Sequence, residues 1–248
     1  GGMALFRIAQ NRTAPIPFFA EMGSVNPVII LPDVENITSH VNALVNSITT
    51  DAGQFCTKPG VIFCPSSLID ETIRLMKLRF NQSPCHPLLH PTIQTRYQKR
   101  LNEIQTSSIG SLHLTHGDEF AAIQGFLHVN HIEFKTHKSL TKEVFGPFCI
   151  LVEYTDKEPL ENTLGTLQGQ LTATIIGKNP QESTLYSMAC SMAGRVIISG
   201  IPTGVSVVPD MHHGGPYPAS SDARFTAVGE ASILRFIRYV SVQKSHGT

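Results

Sequence analysis

Residues 28–80 read VIILPDVENITSHVNALVNSITTDAGQFCTKPGVIFCPSSLIDETIRLMKLRF. The stretch opens on an unbroken apolar run, 28–31, and then changes period. Ile37, Val41, Leu44 and Ile48 recur every three or four residues, the spacing of one buried helix face. A loop rich in glycine and proline, 51–60, leads to a second apolar run, 61–64. Ile69, Ile73, Met76 and Phe80 then repeat the helical spacing, with Ser67 and Asp70 at capping-box distance near the start. The two runs are apolar at successive positions instead of alternating. That is the pattern of strands covered on both faces, as in a parallel sheet flanked by helices.

Outward from this core the alternation continues. Strand-length apolar runs occupy 122–128, 148–154, 171–176 and 196–199. Ile93, Tyr97, Leu101 and Ile104 mark a third helix, and Leu185, Met188 and Met192 a fourth. Residues 228–238 are expected to form a fifth, and the chain opens on what reads as a helix already under way. Strands alternating with helices predict an α/β protein, a three-layer αβα arrangement around a mostly parallel sheet with right-handed crossovers. Two stretches are expected as loops. Residues 81–91 carry three prolines, and 212–224 (HHGGPYPASSDAR) combine glycine, proline and aromatics. The second could line a site or simply connect elements.

With 248 residues, 41% of them hydrophobic, the chain can bury a large core. The 19 Lys and Arg balance the 19 Asp and Glu, so no charge excess points to nucleic acid or to disorder. Cys56, Cys64, Cys85, Cys149 and Cys190 form an odd, scattered set. This argues against a disulfide framework and for a reducing compartment. No apolar run approaches the roughly 20 residues of a membrane span, and no signal peptide is visible. The expected location is cytoplasmic, with no membrane partner.

Three segments could carry chemistry. In 51–60, Gly53 and Pro59-Gly60 allow a tight loop that presents Cys56 at a strand edge, where backbone N–H groups could help hold a thiolate. The alternative is a small buried hydrophobe. In Phe18-Phe19-Ala20-Glu21-Met22-Gly23, a carboxylate follows two aromatics. Apolar surroundings would raise its pKa, which suits a general base; the alternative is a surface glutamate. In Lys142-Glu143-Val144-Phe145-Gly146-Pro147, a Glu and a Phe precede an apolar strand and could contact a ligand. A metal is not expected. Cys85, His86 and His90 have ligand chemistry, but the segment is broken by proline and lacks a second ligand pair.

Together, in order and spacing, these segments resemble the aldehyde dehydrogenase superfamily. The general-base motif E-[LM]-G-[GS] is matched by Glu21-Met22-Gly23-Ser24. The nucleophile motif G-Q-x-C-T is matched by Gly53-Gln54-Phe55-Cys56-Thr57, and the cofactor motif E-x-F-G-P by Glu143-Val144-Phe145-Gly146-Pro147. Within the family, residues 17–27 and 213–218 look like the 2,5-dioxopentanoate (α-ketoglutaric semialdehyde) dehydrogenases, which are commonly NADP-linked. Asp51 departs from the residue usual there.

The resemblance implies the catalytic-domain fold of that family over 21–240. Residues 1–20 would end a cofactor-binding domain and 241–248 would form a tail. It implies an aldehyde substrate, Cys56 as nucleophile and Glu21 as water-activating base. It assigns Glu143 to the cofactor ribose and Phe145 to the nicotinamide side. Gln54, Phe55, His213 and Tyr217 become candidate substrate contacts. NADP or NAD would be held mainly by a domain absent from this chain, since no Gly-rich loop follows a strand here. The family's use of this domain in assembly makes a homo-oligomer an expectation. Two alternatives remain: a thiol-dependent hydrolase using Cys56 and Glu21, and a non-enzymatic assembly module.

Overall fold

The computed structural model describes residues 1–244, so the expected tail at 241–248 lies partly outside the described residues. The chain runs through α1 (Gly2–Gln10), β1 (Val28–Ile30), α2 (Ile37–Thr49), β2 (Val61–Pro65), α3 (Ser66–Gln82), α4 (Pro91–Thr106) and β3 (Ser111–Thr115). It continues through β4 (Gln124–Asn130), α5 (His131–Thr136), β5 (Phe148–Tyr154), α6 (Lys157–Leu164), β6 (Gln170–Ile176), α7 (Thr184–Met192) and β7 (Ala193–Ile198). The strands form one seven-stranded sheet in the order β3-β4-β5-β2-β1-β6-β7. Every neighbouring pair is parallel except β3 with β4.

Successive strand residues point to opposite faces, and both faces are apolar. On β5, Phe148, Ile150 and Val152 join one core with Tyr97 and Leu101 of α4, Phe134 of α5, Leu160 of α6 and Leu185 of α7. Cys149 and Leu151 join the other core with Val41, Leu44 and Ile48 of α2 and Ile69 and Phe80 of α3. The sheet is therefore sandwiched between α2 and α3 on one side and α4 to α7 on the other, the three-layer αβα arrangement expected.

Two expectations are corrected. Helix α3 starts at Ser66, after an extended Pro65 with no side-chain cap. Ser67 thus lies inside the first turn, and the Ser67/Asp70 pair does not cap the helix. Residues 228–238 form no α-helix; a short 3-10 turn, Glu230–Arg235, is all that forms there, with no buried residue. A helix of that length needs an apolar face to pack, and Ile233, Phe236 and Ile237 are exposed instead. The sequence reading also passed over β3, the antiparallel edge strand, whose residues are only half-covered.

Candidate active site

In a parallel sheet the segments entering each strand all arrive at the same edge. The loop 51–60 enters β2, the segment 21–27 enters β1, and 142–147 enters β5. The three candidate segments, far apart in sequence, therefore converge at one rim. A buried asparagine joins two of them. Asn26 Nδ2 donates to the carbonyls of Cys56 at 2.8 Å and Lys58 at 2.9 Å. Its Oδ1 accepts from Ser24 and from Thr172 of β6. Gln170, at the start of β6, accepts from the N–H groups of Val25 and Asn26. Gly60 N–H donates to the Val25 carbonyl at 2.8 Å, which closes the frame.

The approach to Cys56 is sharply bent. Asp51, Ala52 and Gly53 are all left-handed, with φ of 48°, 53° and 66°. For the two non-glycine residues this conformation costs about 1 kcal/mol or more each. Only glycine fits at 53, where a Cβ would meet the backbone carbonyls of Gly146 and Ile48. That close approach stacks the nucleophile loop on the 142–147 loop. Cys56 itself is exposed, on the outside of the bend.

A fourth segment comes from the far end of the chain. The loop after β7 returns to this rim and pairs with the Glu21 segment through a Glu21–Ser220 bridge. Met22 N–H donates to Ala219 O at 2.7 Å, and Ser221 N–H to Ala20 O at 2.9 Å. Gly215 allows the loop through, because a Cβ there would collide with the Gln170 carbonyl. The result is that the His213 ring lies between the two candidate catalytic groups. Its Nε2 is 3.7 Å from Cys56 Sγ, and its Nδ1 is 2.9 Å from Glu21 Oε2. The Nδ1 hydrogen points off the line to that oxygen, so this second contact is an ion pair more than a directed hydrogen bond. Bonding to Cys56 and to Glu21 raises the His213 pKa to about 9, against the opposing effect of burial.

Two further groups lie beneath the rim. Lys58 is buried, and its Nζ donates to the carbonyls of Val144 at 3.1 Å and Phe148 at 2.6 Å. Burial lowers its pKa to about 8, partly offset by Cys149 and Glu143. Glu143 is pushed up to about 7 by burial, with Lys58 opposing. Its carboxylate abuts Gly23, where a Cβ would lie 2.9 Å from Oε2. The desolvated carboxyl is thus Glu143. Glu21, expected in an apolar setting, is instead exposed.

Lys58 makes stability depend on pH in a definite direction. Between pH 8 and 10.5 the folded chain has released this proton while the unfolded chain keeps it, so raising the pH stabilises the fold. Relative to a Lys58→Met variant, the wild-type unfolding free energy is expected to rise by about 1.4 kcal/mol per pH unit across that window. Denaturant unfolding of both proteins at pH 7.5, 8.5 and 9.5 checks this; parallel slopes would contradict it.

The other expected contacts are placed as follows. Gln54 spends its amide on the loops: Nε2 donates to Asp51 O at 2.8 Å, and Oε1 accepts from Leu89 N–H at 2.9 Å. Gln54 and Phe55 line an open cleft of about 830 Å³ with Asn46, Arg79, His86 and Leu89. Phe145 is half-buried. Tyr217, in the same loop as His213, is exposed. Sequence reading missed Lys58 and Arg195. Each had a signal: Lys58 stands three residues before the apolar run that opens at Val61, and Arg195 is the one charge within β7. Burial lowers the Arg195 pKa and the neighbouring Cys56 raises it, which puts that cation within electrostatic reach of the thiol.

Comparison with known proteins bears on the whole assembly. Residues 2–221 match the model of the aldehyde dehydrogenase family. The chain is 39% identical to α-ketoglutaric semialdehyde dehydrogenase of Acinetobacter baylyi, over 99% of this chain and 48% of that enzyme. It is 36% identical to α-ketoglutaric semialdehyde dehydrogenase 2 of Azospirillum brasilense, over 98% of this chain and 48% of that enzyme. The chain thus spans about half the length of the curated relatives it matches. Its fold superposes on glyceraldehyde-3-phosphate dehydrogenase GapN of Methanocaldococcus jannaschii with a TM-score of 0.71 at 20% identity, covering 88% of this chain and 48% of that one.

Proposed function

The chain belongs to the aldehyde dehydrogenase family, and from that premise we propose that it supplies the catalytic half of an NAD(P)-dependent enzyme that oxidises an aldehyde to a carboxylic acid. The observation that carries this reading is the contact chain Cys56–His213–Glu21 at the strand-entry rim. It places an exposed nucleophile and an exposed carboxylate on either side of one imidazole.

In this reading the Cys56 thiolate attacks the aldehyde carbon, the C–S bond forms, and the carbonyl electron pair moves to oxygen. The Cys56 backbone N–H is one donor to that oxyanion. When bound, the nicotinamide cofactor serves as hydride acceptor, which leaves a thioester on Cys56. Glu21 then takes a proton from water, the water oxygen attacks the thioester, and the thiolate departs.

The residues present suit such a cofactor. Glu143, Gly23, Ser24 and Leu167 line an open cavity of about 540 Å³, and Lys135, Lys138 and Lys142 stand on its wall. A carboxylate can accept two hydroxyl donors from a ribose, and lysines suit an anionic ligand. Phe145, on the same segment as Glu143, offers an apolar face.

The likeness to two α-ketoglutaric semialdehyde dehydrogenases supports 2,5-dioxopentanoate as the aldehyde, and family membership supports NAD or NADP as the acceptor. The missing Gly-rich loop and the half-length match support a second, nucleotide-holding unit as partner. The unpaired cysteines support a cytoplasmic location, and the exposed Phe236, Ile237, Tyr239 and Val240 support assembly into a homo-oligomer.

The test is steady-state kinetics of a protein that joins this chain to a nucleotide-holding unit. 2,5-Dioxopentanoate is expected to exceed propanal in kcat/KM by at least ~10-fold, since a site that pairs a substrate's polar groups rejects analogues lacking them. Equal values would overturn the substrate assignment. Aldehyde-dependent NADP reduction by the 248-residue chain alone, at ordinary enzyme rates, would overturn the need for a second unit. A second reading, a thiol-dependent esterase, is favoured by one fact: Cys56, His213 and Glu21 all lie in this chain.

A further inference from the structure

We propose that His213 is the proton acceptor for Cys56: it takes the thiol proton onto Nε2 and holds the sulfur as a thiolate, while Glu21 holds the imidazolium from the Nδ1 side. The inference rests on Cys56 being the nucleophile but not on the reaction that follows.

The geometry is that of a thiolate–imidazolium–carboxylate chain. The two ring nitrogens face opposite ways, one to Sγ and one to a carboxylate oxygen. With a carboxylate at Nδ1, the protonated ring is favoured over the neutral one, and its second N–H points to sulfur. The proton transfer is self-contained. The S–H bond breaks, an Nε2–H bond forms, and the electron pair stays on sulfur.

The backbone that carries the ring is also held in place. His213 N–H donates to Thr226 Oγ1 at 2.8 Å, and its carbonyl accepts from Ala227 N–H at 2.9 Å. Its side chain is 10% exposed. The raised His213 pKa noted above agrees with a cationic resting ring.

The charged groups around the pair favour the same state or are screened. Arg195 of β7 adds a cation on the Cys56 side. On the Glu21 side, Asp222 and Arg235 line the same small cleft, with opposite charges. His212, next in the chain, lies against Gly214.

The test is the pH dependence of Cys56 alkylation by iodoacetamide from pH 5.5 to 9.5. It is read by peptide mass spectrometry, with free N-acetylcysteine in the same reaction as the reference thiol. In wild type, the Cys56 rate is expected to stay nearly level from about pH 6 to 9, while an ordinary thiol with a pKa of about 8.5 climbs steeply. In His213→Ala and in the size-conserving His213→Gln, the Cys56 rate at pH 6 is expected to fall at least ~10-fold relative to its rate at pH 9. Glu21→Gln, which keeps the histidine, is expected to move the profile part of the way and serves if the His213 variants do not fold. A level profile in any folded His213 variant would overturn the proposal, as would a wild-type Cys56 profile that rises like that of the free thiol. Alkylation needs neither aldehyde nor cofactor. A level wild-type profile in a chain that oxidises no aldehyde even when joined to a nucleotide-holding unit would therefore sink the dehydrogenase reading and leave this one standing.

Discussion

Replacing Cys56 with alanine is expected to abolish acyl capture, with the burst of p-nitrophenol from p-nitrophenyl acetate falling by on the order of 10⁴-fold or more, as when a nucleophile is deleted outright. The expectation is this steep because no other thiol can stand in. Cys64 and Cys149 are buried in the core, and burial pushes both thiols up to about 12. Cys85 belongs to the loop between α3 and α4, where burial and Asp118 also raise it. Cys190 is exposed on α7 and bonds to Tyr186, with no contact to Glu21 or His213 among those described. Stopped-flow absorbance of wild type and Cys56→Ala checks this, and a surviving burst would move the nucleophile elsewhere.

Replacing Glu21 with glutamine is expected to separate the two halves of the reaction. Acylation should persist, somewhat slowed, because Cys56 and His213 remain. Hydrolysis of the acyl enzyme should slow by about 10²- to 10⁴-fold, the usual worth of a positioned general base. Glu143 is the competing candidate, since its pKa of about 7 suits a base at neutral pH. Its surroundings argue otherwise: it is desolvated beneath the rim, faces Gly23 and a separate cavity, and makes no contact with Cys56 or His213 among those described. Glu143→Gln should therefore leave deacylation of an ester substrate within a few-fold of wild type. The reverse ranking of the two variants would exchange their roles.

Much of this could be read from residues 28–80 alone. Apolar runs at successive positions can be stable only where both faces are covered, and the helical spacing between them supplies the cover. Because the resulting sheet is parallel, segments entering its strands must share a rim, so Glu21, Cys56 and Glu143 were bound to lie along it. What remained hidden depended on long-range packing. His213 reaches Cys56 only because Gly215 lets its loop pass the Gln170 carbonyl and Ser221 ties it to Ala20. No local pattern encodes that return path. The exchange of settings between two carboxylates was equally invisible: Phe18 and Phe19 precede Glu21, yet Phe19 packs against Phe225 and Arg235 and leaves Glu21 exposed. The expected helix at 228–238 failed for a related reason. Its apolar residues have the right period but, among the described residues, no surface to bury them.

The measurement that bears most directly on Cys56 and Glu21 as a nucleophile–base pair is peptide mass spectrometry of acid-quenched protein after exposure to p-nitrophenyl acetate. In Glu21→Gln a persistent acetyl group is expected on the Cys56 peptide, decaying at least ~10²-fold more slowly than in wild type. An adduct on another residue, or equal decay in the two proteins, would contradict it.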